Sequence, residues 1–137
     1  MFFSQPGSIF IIVHFDLLLI MNSSQISKSK AYNIAETIEY VSNSVVTKTF
    51  INRSTGNVCI MSFDTGQGLT DRILSYDTFV QIIEGKAEVM IDGNPYNLSS
   101  GESIIIPAHL SNAIRANERF KMMLTAIKPP MPRKTRI

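Results

Sequence analysis

Two histidines, His14 and His109, and one cysteine, Cys59, are all the imidazole and thiol chemistry in this 137-residue chain. A transition-metal site needs several imidazole, thiolate or carboxylate ligands brought together, and a nucleophilic relay needs a histidine within reach of a serine or cysteine. His14 lies inside an apolar run near the N-terminus, so neither arrangement can be assembled from spacing alone. Cys59 stands between Val58 and Ile60 in strand-like sequence and reads as core filler. A lone cysteine also excludes a disulfide framework and a cysteine-rich zinc site. Gly66-Gln-Gly68 and Gly101 read as turn glycines and form no phosphate loop.

The elements that would have to position any site come next. Apolar residues are 45% and charged residues 18% of the chain, which is globular composition for a single domain. The net charge of +2 is carried by the end of the chain, where Lys128, Arg133, Lys134 and Arg136 cluster. The body is therefore close to neutral, and no basic stripe for nucleic acid is expected.

Residues 8–21, SIFIIVHFDLLLIM, approach the length of a signal-peptide core, yet no Lys or Arg precedes Lys28, and His14 and Asp16 interrupt the run. A bilayer span needs about 20 apolar residues, more than this run offers. Three readings stand: an extension upstream of a start at Met21, a strand or helix packed on the domain or on a partner subunit, and a secretion or membrane signal. The polar stretch 22–30 follows as a linker. Residues 1–30 are assigned to an N-terminal extension and linker, 31–128 to the folded domain, and 129–137 to a basic tail. A cytoplasmic protein without membrane attachment is expected.

From residue 32 onward the pattern is short strands between turn signals. Expected strands are 45–51, 57–63, 69–74, 79–83, 86–91, 96–98, 103–106, 112–116 and 120–127, with Glu84-Gly85, Asp92-Gly93, Ser100-Gly101 and Pro107 as punctuation. Asp92-Gly93 between alternating runs predicts a type I′ hairpin. The only helical stretch is 35–40, AETIEY, a turn or two. The spacing implies an all-β sandwich or barrel. In 79–83 both faces are apolar, Val80 and Ile82 against Phe79 and Ile83, so both should be covered. A homodimer through the Phe79–Ile83 side, or coverage by the N-terminal segment, would each do this.

Two glycine-framed stretches carry a resemblance. Residues 66–85, GQGLTDRILSYDTFVQIIEG, and 101–112, GESIIIPAHLSN, resemble the two motifs of the cupin superfamily, with framing glycines, the Pro107 break and an intervening hairpin in place. The resemblance is to the small single-domain, RmlC-like members and covers residues 45–127. It implies a small antiparallel β-barrel of jelly-roll type, often dimeric, with a ligand pocket inside. In metal-binding cupins a His-x-His pair, a Glu and a later His converge on one divalent metal. The corresponding positions here are Arg72, Leu74, Thr78 and Asn112, so no metal site and no cofactor are expected. His109 stands where the family has Gly or a small polar residue, and is expected at the barrel rim.

What this pocket offers is a cation. Arg72 and Asn112 should face the barrel mouth with Thr78 beside them, Leu74, Val80, Ile82 and Ile114 as apolar lining, and Tyr76 and His109 nearby. An always-charged guanidinium in an apolar cavity needs a partner. That partner is either an internal carboxylate, with Asp71, Asp77 and Glu102 as candidates, or an anionic ligand clamped by Arg72. The expected function is a metal-independent binder of a small molecule, of anionic character. The alternative is a cupin enzyme, an isomerase, epimerase or dioxygenase, with a displaced metal or none, for which Tyr76, Asp77 and His109 are the nearest cast. A third reading is an interaction module with a vestigial pocket.

Overall fold

Turn chemistry decides where these strands stop. Asp92 (φ 50°) and Gly93 (φ 81°) both take the left-handed conformation, which a two-residue type I′ hairpin demands. The flanking residues then pair from Ile91↔Asn94 out to Lys86↔Ser99. The structure, a computed structural model, describes residues 10–12 and 26–130. Within them the strands are β1 (Phe10–Ile12), β2 (Val45–Arg53), β3 (Gly56–Phe63), β4 (Gly68–Ile73), β5 (Thr78–Ile91), β6 (Asn94–Ser99), β7 (Ser103–Ile106), β8 (Ser111–Arg115) and β9 (Phe120–Ile127).

All the pairings are antiparallel, and two layers share one strand. The first layer runs β1-β2-β3-β9-β5-β7 and the second β4-β8-β5-β6. The shared strand is β5, which the sequence splits at Glu84-Gly85 into two expected strands. It is continuous instead. A bulge against β9 falls between Ile82 and Glu84, and Gly85 follows it at φ 80°. A bulge kinks and overtwists a strand, and here it carries β5 from one layer into the other. Gly85 is required there, because a Cβ would press on the Arg119 carbonyl oxygen and on Phe120.

The interior is filled by alternate residues of both layers. Val80, Ile82, Val89, Ile114, Phe120 and Met122 are fully buried, and Phe63 stacks on Phe120 with ring centroids 4.4 Å apart. Cys59 is buried among them as a free thiol. Two separate walls closing on one apolar core give the jelly-roll barrel that the turn spacing implies.

The expected helix at 35–40 is a single 3₁₀ turn, Ile34–Thr37, capped by Asn33, whose side-chain oxygen accepts from the Ala35 amide. Beyond it the chain turns extended at Ile38, and residues 38–41 lie against the outer face of the first layer. Ile38 packs with Val46 and Ile60, with Val41, Phe50 and Met123 around them. Polar ties fix this strap: Ser62 Oγ donates to the Glu39 carbonyl at 2.8 Å, and Lys121 Nζ to the Ala35 carbonyl at 2.6 Å. The Tyr40 hydroxyl donates to Glu84 Oε2 at 2.6 Å.

Among the described residues, coverage of β5 on both faces is therefore incomplete. Val80 and Ile82 are inside, Ile83 is half-buried, and Phe79 stays 37% exposed on the outer face. Apart from β1, which pairs with the edge of β2, the run 8–21 lies outside the described residues. So do residues 131–137, the end of the basic tail. Among the described residues no helix is long and apolar enough to cross a membrane.

Candidate functional site

Strand β4 places Arg72, and a bulge decides which way it points. Leu69 pairs with Ile114 and Arg72 with Asn112, so three steps along β4 oppose two along β8. Simple alternation from an inward Leu69 would send Arg72 outward. The extra residue restores the inward direction, while Thr70 and Asp71 stay exposed.

Inside, Arg72 and Asn112 hold each other. Arg72 Nε donates to Asn112 Oδ1 at 3.1 Å, and Asn112 Nδ2 donates to the Arg72 carbonyl at 3.3 Å. Asn112 is 1% exposed. Burial draws the Arg72 pKa below the ordinary arginine value, opposed by the nearby Tyr76 and Cys59. The same burial pushes the Cys59 thiol up to about 11, with the Arg72 charge pulling the other way. The thiol is inert at neutral pH.

Among the described residues, three donors in this interior have no partner. Arg72 Nη2 and Thr78 Oγ1 are buried without a hydrogen bond, and so is Thr47 Oγ1 on β2. Thr78 is 1% exposed, held on β5 opposite Ile106 and Ala126. Orphaned buried donors are uncommon, since each forgoes about 1–3 kcal/mol of lost hydration. The three carboxylates proposed as internal partners for Arg72 are occupied or turned away. Asp77 Oδ1 accepts from the Ala108 amide at 2.8 Å, Glu102 Oε1 from the Ser99 amide at 2.7 Å, and Asp71 is exposed. Among the described residues Arg72 forms no salt bridge.

The mouth is shaped by two loops tied together. The His109 amide donates to the Leu74 carbonyl at 2.7 Å, beside the Asp77–Ala108 bond. The His109 side chain is exposed, and its backbone sits at φ 69°. Few residues other than glycine adopt that conformation readily, which is why the related motif has glycine there. Its role here is in the turn. Leu74 and Tyr76 are half-buried at the same rim, with Lys128 Nζ 5.9 Å from the Tyr76 ring centre.

The donor set does not suit a divalent metal. Of the four positions the fold uses, Arg72 is a cation, Leu74 has no donor, Thr78 offers a neutral hydroxyl, and the Asn112 amide is engaged at both ends by Arg72. Among the described residues no three His, Cys, Asp or Glu side chains come together. Sequence reasoning named Arg72, Thr78 and Asn112 together; the structure pairs Arg72 with Asn112 in the second layer and sets Thr78 in the first, on β5 between β7 and β9. That reasoning missed Thr47, which faces inward through the register of β2 with β3.

Comparison with known proteins agrees with this fold. The family profile for the ethanolamine utilisation protein EutQ matches residues 19–126. No curated protein sequence matches the chain. Among solved structures, a conserved Streptococcus pyogenes protein of unknown function is 27% identical, with a TM-score of 0.74 over 77% of this chain and 93% of that one. A cupin superfamily protein from Desulfitobacterium hafniense is 23% identical, with a TM-score of 0.72 over 76% and 95%. A putative ethanolamine utilization protein Q from Salmonella typhimurium is 19% identical, with a TM-score of 0.55 over 61% and 68%.

Proposed function

The chain belongs to the EutQ family of ethanolamine utilisation proteins, built on the cupin barrel, and we propose that it acts as a metal-independent binder of a small anion. The observation that carries this reading is the half-buried Arg72 guanidinium, whose Nη2 is buried and unpartnered, with no carboxylate beside it among the described residues. A buried arginine stays protonated, because its pKa is too high for deprotonation to relieve the burial. An uncompensated charge in an apolar interior is costly, and an anion supplies both the missing charge and the missing acceptor.

The neighbours suit that task. Asn112 holds Nε and so leaves the outer edge of the guanidinium free for a ligand, in the bidentate manner arginine favours. Thr78 offers one further hydroxyl, and Val80, Ile106 and Ile114 exclude water around them. A carboxylate or a phosphate meets these requirements. The one cysteine, reduced and buried, accords with a cytoplasmic location.

Elemental analysis of the purified protein tests the metal half of this reading. Well under one transition metal per chain is expected, with anion binding unchanged after chelator treatment. One metal per chain, with loss of anion binding on chelation, would favour the enzyme reading with a displaced metal site.

A further inference from the structure

The strap over the first layer is held as a bound peptide is held. Among the described residues it joins no strand ladder, and sheet side chains reach its main chain instead. Lys121 Nζ donates to the Ala35 carbonyl at 2.6 Å, Lys48 Nζ to the Thr37 carbonyl at 3.2 Å and Ser62 Oγ to the Glu39 carbonyl at 2.8 Å. Bonds to main-chain carbonyls grip any sequence, and pockets for particular side chains select one.

Two side chains fill such pockets. Ile38, 1% exposed, sits on Val46 and Ile60. Tyr40 donates its hydroxyl to Glu84 Oε2 at 2.6 Å, with Lys121 Nζ 4.9 Å and Arg119 Cζ 5.1 Å from its ring centre. Glu36 and Glu39 remain exposed. Sheet register builds the floor beneath them. Val46, Ser62, Lys121 and Glu84 pair in turn across β2, β3, β9 and β5, and Lys48, Ile60 and Met123 form the next row. These groups keep their places when the strap lifts. Ile38 is the one fully buried side chain of residues 35–41, and a segment with so little burial and no ladder bonds opens before the sheet does.

We propose that the outer face of the first layer is a peptide-docking groove, occupied by the chain's own residues 35–41, that accepts from another protein a segment with a branched aliphatic residue two positions before a tyrosine. Around the groove Lys48, Lys121 and Arg119 outnumber Glu84 and Asp64. An acidic segment is therefore favoured, as the strap is acidic through Glu36 and Glu39. The strap is a built-in competitor, and partner binding requires its displacement. The groove lies outside the barrel, so this proposal and the anion site can each fail alone.

A fluorescein-labelled peptide of residues 33–43, titrated by anisotropy into the full chain, tests the proposal. Ile38→Asp in the chain should eject the strap and bind the peptide, with native circular dichroism. The unmodified chain should bind it more weakly by roughly tenfold or more, because a tethered strap competes at about millimolar effective concentration. Ile38→Asp or Tyr40→Ala in the peptide should abolish binding. A folded Ile38→Asp chain that ignores the peptide would overturn the proposal, as would equal affinity for both chains or binding that both altered peptides retain. A second measurement stands apart from that variant. With Ile38→Cys, maleimide should label position 38 roughly tenfold or more faster than Cys59 at native circular dichroism, as separate opening of the strap requires. Equal rates at the two positions would overturn the proposal as well.

Discussion

Arg72 and Asn112 face each other across the β4–β8 pair and are bonded twice, Nε to Oδ1 at 3.1 Å and Nδ2 to the Arg72 carbonyl at 3.3 Å. This double tie fixes the guanidinium in the barrel wall and removes the asparagine from any other duty. Among the described residues it leaves Arg72 Nη2 as an unpartnered donor of this wall, as the Thr78 and Thr47 hydroxyls are of the first layer.

Thr78→Val keeps the shape and removes an orphaned hydroxyl. The unliganded protein should gain about 1 kcal/mol of stability, the desolvation of a group that finds no partner. Urea denaturation measures the gain, and the same variant should bind anions less tightly. A loss of stability would mean that the hydroxyl has a partner in solution.

His109→Gly should stabilise the protein by about 1 kcal/mol, since φ 69° strains a residue with a Cβ. The exposed imidazole is not needed for binding on this account, so anion affinity should stay within about twofold, inside the scatter expected of a surface change. Thermal denaturation together with a binding titration checks both halves. A large fall in affinity would make His109 part of the site.

The strap should respond to alkaline pH. Burial first, then the hydrogen bond to Glu84, raises the Tyr40 phenol well above its ordinary value. A group whose folded pKa lies above its unfolded value of about 10 contributes stability that is complete below that value and is lost as pH rises through the folded pKa. Unfolding curves taken upward from pH 9 should show Tyr40→Phe losing less stability than the unmodified protein. At pH 7 that variant should be weaker by about 1 kcal/mol, the worth of one hydrogen bond.

Much of the fold can be read in the sequence because its signals are local. Asp92-Gly93, Gly66, Gly101 and Pro107 act within a few residues, and the turns fall where they predict. The misreadings arise where tertiary register overrides local pattern. Glu84-Gly85 looks like a turn, yet pairing with β9 on one side and β6 on the other makes it a bulge in a continuous strand. Ala35–Tyr40 alternates like a short helix, yet Ile38 is held extended by Val46 and Ile60. At the site, Arg72 and Asn112 are legible from their motif positions, whereas the lack of a partner for Arg72 Nη2 among the described residues is not. Asp71, Asp77 and Glu102 are all close in sequence to the site, and only the folded loops show that two are taken by backbone amides.

The most direct test of the central claim is calorimetric titration of small carboxylates and inorganic phosphate into chelator-treated protein and into Arg72→Leu. At least one of these anions should bind the unmodified protein once per chain, and Arg72→Leu, still folded, should weaken it by roughly 30-fold or more, the usual loss when one partner of a buried charged contact is removed. Equal affinity in both proteins, or binding that returns only when a divalent metal is added, would contradict the account.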